Sequence, residues 1–263
     1  MVKTINGFNL IIDDPIGRLR LDRPLRKNTL TQEMWEALPG ILDRLAKSEA
    51  CKVLIFEATR PGPFSAGADI TEFRAIAKDE KRRIGHADAI WSAIHALKTF
   101  PKPVIAKIEG DCVGGGCSLI LACDLRYCVE GVSFGITPAR LGLVYSAQDT
   151  KALIDLIGPA HAKELLFTAR LIDAQHAAQI GLVNRALDPA ELSTHVEQVA
   201  RQIASVSQHS VRGMKSIIAL IENGASSDTP ATRALFQDSY LGPDHEEGVA
   251  AFLEKRVAHF PVK

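Results

Sequence analysis

Two short stretches hold the residues best suited to chemistry: Phe64-Ser65-Ala66-Gly67-Ala68-Asp69 and Val113-Gly114-Gly115-Gly116-Cys117-Ser118. Each is a small-residue turn just before a stretch that reads as a helix, so its backbone N–H groups lie open to a ligand. The glycine run would place them at the positive end of a helix dipole. If both turns bring an N–H to one point, the pair can hold an oxygen that becomes negative during reaction. One such donor is worth about 2.7–4 kcal/mol of transition-state stabilisation. The alternative is that Gly67 and Gly114 to Gly116 only permit tight turns and close helix packing. That alternative is favoured for either turn alone, and two turns, each after a buried strand, shift the balance toward a ligand.

Other uses of a glycine turn fail on particular residues. A dinucleotide fingerprint would need a third glycine where Leu119 stands, and a phosphate loop would need Lys after its last glycine, where Cys117 stands. A nucleophile elbow around Ser118 lacks its closing glycine, because that position is Ile120.

The elements that would position the turns can be read from pattern. "FNLIIDD" and "GRLRLD" read as strands joined by "DPIG". Thr29-Leu30-Thr31-Gln32 fits a capping box opening a helix through about Lys47. Lys52 to Ala58, "KVLIFEA", is a continuous apolar run of strand length, and "PVIAKIEG" is a second strand. Helices are expected over about Thr71 to Arg83 and Ala87 to Phe100, and "CSLILACD" as the helix after the glycines. "LRYC" and "VSFG" read as strands, and beyond about residue 150 the pattern turns almost wholly helical. Alternating strands and helices followed by helices predict an α/β core with a helical C-terminal region. The expected division is a core over residues 1–200 and a helical oligomerisation region over 201–263.

Composition excludes several roles. The 263 residues carry 31 Lys plus Arg against 31 Asp plus Glu, so no global field attracts nucleic acid or a membrane surface. No stretch of about eighteen apolar residues occurs to span a membrane. The N-terminus lacks the apolar core of a signal peptide, and the five cysteines are an odd number, so a reducing, cytoplasmic location is expected. Cys112, Cys117, Cys123 and Cys128 lack metal-ligand spacing and read, with Cys51, as small buried thiols. His95, His161, His176 and His195 read as structural or exposed, and no metal is expected.

"RPLRKNTL", "FSAGADI", "FPKPVIAKIEGDCVGGGCSLILACDLRY", "FGITPARLGL", "AKELLFTARLIDAQHAAQIGLVNRAL" and "EGVAAFLEKR" stand in an order that resembles the enoyl-CoA hydratase/isomerase family, the crotonase superfamily. The resemblance covers most of the chain. It implies a crotonase-like spiral of ββα units, a homotrimer or dimer of trimers, and a coenzyme A thioester as substrate. No separate cofactor is implied, since coenzyme A enters as part of the substrate. By resemblance, the N–H groups of Ala68 and Gly115 would hold the thioester carbonyl of an enolate. Ala66, Asp69, Ile70, Gly114, Ser118 and Pro138 would line the bound thioester.

The family's hydratases place one glutamate where this chain has Ser118 and another where it has Pro138. Hydration needs one group to deprotonate water and one to protonate carbon, and neither residue suits these tasks. Glu72, Glu109, Asp111 and Asp149 are read as solvated or salt-bridged surface charges, while Asp69 and Asp124 are read as braces for the turns. Decarboxylation needs no base, because departing CO2 leaves its electron pair on the α-carbon. "TPARLGLVYS" and "EGVAAFLEKR" resemble segments of methylmalonyl-CoA decarboxylases within the family. On that resemblance Thr137 and Tyr145 line the acyl pocket and orient a carboxylate or supply a proton, with Arg140 attracting the carboxylate. Those decarboxylases carry histidine where this chain has Ala68, and a bulkier run where it has Gly116-Cys117-Ser118. The family also suggests Lys27 near the phosphates, and Phe252 and Lys255 near the nucleotide of the same or a neighbouring subunit. Three readings stay open: decarboxylation of a short malonyl-type CoA ester, hydration or isomerisation through a substitute carboxylate, and a catalytically silent acyl-CoA-binding scaffold.

Overall fold

A computed structural model describes residues 3–261. Strands β1 (Lys3–Ile5), β2 (Phe8–Asp13) and β3 (Ile16–Leu21) pair antiparallel in sequence order. Helix α1 (Gln32–Lys47) then carries the chain to β4 (Val53–Ala58), parallel to β3. Helices α2 (Phe73–Lys78) and α3 (Glu80–Lys98) precede β5 (Val104–Ile108), parallel to β4. The two-residue β6 (Cys112–Val113) leads into α4 (Gly115–Leu121), β7 (Leu125–Val129) and β8 (Ser133–Gly135). There follow α5 (Ala147–Thr168), β9 (Leu171–Asp173), α6 (Ala174–Gln179), β10 (Arg185–Leu187) and α7 (Pro189–Ser205). The chain closes with α8 (Gln208–Glu222), α9 (Pro230–Ser239) and α10 (Pro243–Glu254).

Seven strands form one sheet in the order β1-β2-β3-β4-β5-β7-β10, and β6-β8-β9 form a second. From β3 onward the large sheet is parallel. Parallel strands are covered on both faces, which is why β4 reads as an unbroken apolar run and buries Val53 through Phe56 completely. One cover is α1, whose Met34, Trp35, Leu38, Ile41, Leu42 and Leu45 form a single apolar stripe. Another is α7, packed across β3, β4, β5 and β7. Residue 200, the expected boundary, is the fully buried Ala200 of α7, so the whole of that helix belongs with the sheet.

Several expected boundaries are corrected. The side chain of Thr31, not Thr29, caps α1 by accepting the Met34 N–H. The helix after the first turn breaks at Asp79 rather than near residue 85, because Asp79 is extended and its carboxylate caps α3 by accepting the Arg82 N–H. The stretch beyond residue 150 is not purely helical: β9 and β10 are three-residue strands that complete the two sheets. Helix α9 is an addition to the expected elements, whereas α5 consists of two helical stretches joined by a kink at the non-helical Gly158 (φ 75°, ψ 162°), in keeping with the separate runs "KALIDLI" and "AHAKELLF".

The exits of β4 and β5 position the candidate turns. The loop after β4 runs back past Leu30, and the loop after β5 enters β6 and then α4. Ligands of parallel sheets bind beyond such carboxyl ends, where loops from neighbouring strands converge.

Candidate active site

The first turn is held by backbone pairing. Leu30 N–H donates to Gly67 O and Asp69 N–H donates to Leu30 O, both at 2.9 Å. In such a parallel bridge the central residue's own N–H is directed away from its partner, so that of Ala68 points out on the far side. A second bridge joins Ser65 to Cys112, tying this turn to the start of the glycine turn. The Ser65 hydroxyl donates to Asn28 O at 2.8 Å and accepts the Gly67 N–H at 3.2 Å.

The two turns meet at Gly67 and Gly115. Gly67 has φ of 92°, and a Cβ there would sit 3.1 Å from Gly115 N. A Cβ on Gly115 would lie 3.5 Å from Ala68 N and 3.2 Å from Cζ2 of the buried Trp35. Among the described residues neither the Ala68 nor the Gly115 N–H has a hydrogen-bond acceptor. Gly115 is the first residue of α4, where such an N–H has no partner within the helix. Two unpaired donors thus stand side by side. Gly114, the N-cap of α4, gives its own N–H to Gly135 O at 2.8 Å and so ties this turn to β8.

Asp69 braces the floor, as read from sequence. Its carboxylate accepts from Arg23 at 3.2 Å and from the Thr71 hydroxyl at 2.7 Å, and these contacts hold it below the ordinary carboxylate range, with Thr71 the larger influence. Asp124, expected to brace the turns, instead ties the start of β5 to α8, accepting from Val104 N–H and Lys215, both at 2.7 Å. Lys27 is tied to the first turn by its carbonyl, which accepts the Ala66 N–H at 3.0 Å, and its side chain is exposed. Ala66 and Ile70 are exposed beside Ala68, Ile70 to 60%.

A second group of residues, beyond the start of α4, is built from side chains. Ser118 lies one helical turn beyond Gly115 and is buried. Its hydroxyl is 2.9 Å from that of Tyr145 and 3.2 Å from Oδ2 of Asp149. The expectation of a surface charge at Asp149 is overturned: this carboxylate is only 5% exposed, in the first turn of α5. Asp149, Leu153 and Ile157 recur every four residues, so the helix stripe that enters the core carries the acid inward with them. The Ser146 hydroxyl donates to Asp149 Oδ2 at 2.8 Å and accepts the Asp149 N–H at 3.0 Å. Burial raises the Asp149 pKa against these hydrogen bonds, and no cation pairs with it among the described residues. The Tyr145 hydroxyl is pushed well up, by burial and then by Asp149.

The other three acids do behave structurally. Glu72 accepts the Gln32 N–H, Glu109 pairs with Lys107, and Asp111 accepts the Ser133 N–H. Thr137 and Pro138 open a short 3-10 turn through Leu141, on which Arg140 is exposed. Phe252 and Lys255 are exposed on and just after α10, and no hydrogen bond ties them to the two turns among the described residues. All five cysteines are buried and free of disulfides. Among the described residues no cluster of three or more His, Cys, Asp or Glu could hold a metal, and no helix is long and apolar enough to cross a membrane.

The geometry can be set beside known proteins. Residues 12–263 match the family model for enoyl-CoA hydratase/isomerase. A probable mitochondrial enoyl-CoA hydratase 2 from Arabidopsis thaliana is 35% identical over 93% of this chain and 81% of that protein. A crotonyl-CoA hydratase from Syntrophomonas wolfei is 32% identical over 96% of this chain and 97% of its own length. A solved structure from Hyphomonas neptunium, ascribed to the same family, superposes with a TM-score of 0.95 at 38% identity over 98% of both chains. With nearly its whole length matched, and two adjacent turns presenting unpaired N–H groups, the chain belongs to the enoyl-CoA hydratase/isomerase family and has its crotonase-like α/β fold.

Proposed function

We propose that this chain acts on a short acyl-CoA thioester whose carbonyl oxygen lies between the N–H groups of Ala68 and Gly115. The observation that carries this reading is the adjacency of two donors that nothing in the described chain satisfies. Such donors are aimed at charge that develops on the oxygen as an enolate forms. Coenzyme A is part of the substrate and no separate cofactor takes part. Its phosphates lie toward Lys27, and Ile70 faces the thioester.

The reaction we favour is decarboxylation of a malonyl-type CoA ester. The C–C bond to the carboxylate breaks, CO2 leaves, and its electron pair forms the enolate held by the two N–H groups. A proton then returns to the α-carbon from Tyr145. Supporting this are Ser118 and Pro138 at the positions of the hydratase glutamates, and a tyrosine hydroxyl on Ser118. Arg140 and Thr137 would orient the departing carboxylate. A second reading, hydration or isomerisation, gains from one observation: a buried carboxylate, Asp149, stands behind Ser118 and could act as the base. The hydratase names of the relatives point the same way.

Assembly would complete the site. Helices α8 to α10 expose Met214, Ile218, Phe236, Leu241, Phe252 and Leu253, an apolar surface suited to a homotrimer or dimer of trimers. Phe252 and Lys255 would then reach a neighbour's nucleotide.

The test is mass spectrometry of purified protein in D2O with crotonyl-CoA, a 3-enoyl-CoA, malonyl-CoA and methylmalonyl-CoA. Loss of CO2 with uptake of one deuterium is the expected result. Rapid hydration of crotonyl-CoA, or migration of the 3-enoyl double bond, would replace decarboxylation by the second reading. Tight thioester binding without turnover would make the protein a silent acyl-CoA scaffold.

A further inference from the structure

We infer that Asp149 is the proton reservoir of the site, acting on substrate through Ser118 and Tyr145 as a chain of three oxygens. The inference rests on the decarboxylase reading. Its geometry is a line of contacts: Asp149 Oδ2 to Ser118 Oγ at 3.2 Å, and Ser118 Oγ to the Tyr145 hydroxyl at 2.9 Å. One end differs from the rest in environment. Asp149 and Ser118 are buried and the Tyr145 side chain only partly so, which makes Tyr145 the member of the chain through which it would reach a ligand.

Each hydroxyl has a single proton, and this makes the chain directional. When Asp149 is ionised, Ser118 and Ser146 both donate to Oδ2. Ser118 must then accept from Tyr145, whose outward face offers only lone pairs. When Asp149 is protonated it donates to Ser118, Ser118 donates to Tyr145, and the Tyr145 proton is free to point at substrate. Ionisation of one buried acid therefore decides whether Tyr145 gives or takes a proton.

The surroundings favour the protonated state. The groups facing the chain are the Ser146 hydroxyl from the α5 cap, the Cys117 thiol from α4 and the Cys112 thiol from β6, and burial pushes the Cys112 thiol up. Arg140, on the turn packed against α5, is exposed and forms no ion pair among the described residues. With no cation to hold a carboxylate, burial extends the neutral, protonated form of Asp149 to pH values where a solvated aspartate has ionised.

The proton balance follows. After CO2 leaves, the Tyr145 proton goes to the α-carbon, Tyr145 takes the Ser118 proton, and Ser118 takes the Asp149 proton. Asp149 is left ionised, and one proton from water resets it. The net reaction consumes one proton for each CO2 released, as decarboxylation of a carboxylate requires.

Two variants and one spectrum test this. Asp149→Asn removes the acid, and Ser118→Ala cuts the chain while leaving the Asp149–Ser146 cap of α5 intact. For the wild type, kcat on a malonyl-type CoA ester is expected to fall as pH rises through the Asp149 pKa. Each variant should lose about 10²-fold in kcat with little change in KM, and lose that pH dependence as well. Infrared difference spectra of wild type against Asp149→Asn, taken through a pH titration, should show a protonated-carboxyl band that persists above the pH at which a solvated aspartate ionises. Its absence would overturn the inference whether or not any substrate turns over. Wild-type kcat and an unchanged pH profile in both variants would also overturn it, leaving the decarboxylase reading intact. Failure of the wild type to release CO2 from any malonyl-type ester would instead remove the reading on which the inference rests.

Discussion

The two walls of the candidate site are made in different ways. The floor, from Ala68 to Gly115, is backbone: its donors are N–H groups held by strand bridges, a helix start and the missing Cβ of Gly67. The other wall, from Ser118 through Tyr145 to Asp149, is side chain: three oxygens brought together by packing α4 on the start of α5. A backbone donor survives every side-chain exchange except to proline, whereas each side-chain oxygen can be replaced by one substitution. The floor is suited to what an acyl-CoA family shares, and the wall to what distinguishes one member's reaction.

Substitutions that strike each wall sharpen the contrast. Tyr145→Phe deletes the hydroxyl assigned to protonate the α-carbon, and kcat should fall about 10²- to 10⁴-fold while thioester affinity and melting temperature barely move. Steady-state kinetics beside calorimetry would separate the two effects. Gly67→Ala attacks the floor instead. Its Cβ must displace Gly115 N at 3.1 Å and adopt a positive φ, so about 1–3 kcal/mol of stability should be lost along with activity. A denaturant midpoint shift measures the first, and turnover the second.

Smaller effects come from the supports. Asp69→Ala leaves Arg23 and Thr71 without their carboxylate, and part of it is open to water, so the cost should be about 1 kcal/mol in chemical denaturation. The smallest is a change in the slope of stability against pH. The folded chain raises the Asp149 pKa, so this acid's contribution is present at low pH and is lost as pH rises through its folded pKa. Asp149→Asn should therefore lose less stability than wild type between acid and neutral pH, read from melts over that range.

The two walls also differ in how far the sequence discloses them. Glycine spacing and the apolar runs of β4 and β5 mark the floor, because backbone chemistry is local and each turn lies within six residues. The wall joins Ser118 to an acid far along the chain, through a contact that exists only once α4 lies on α5. One signal was nonetheless present: Ser146 to Asp149 has helix-cap spacing, and Asp149 shares a four-residue rhythm with Leu153 and Ile157. An acid on that stripe faces inward. The strands β9 and β10 left no such trace, since three residues are too few for an alternating pattern. The break at Asp79 leaves little mark in the pattern, because no Gly or Pro stands there and the cap is the aspartate itself.

The most direct test of the floor is Ala68→Pro, which removes a single N–H from the pair. Turnover of the fastest-reacting thioester and its Kd would be measured for wild type and variant, with circular dichroism to confirm that the variant folds. The account predicts a loss of about 10²–10³ in kcat with thioester binding largely kept, because the donor acts on charge that develops during reaction. A folded variant that turns over at the wild-type rate would contradict it and would place the reacting oxygen elsewhere.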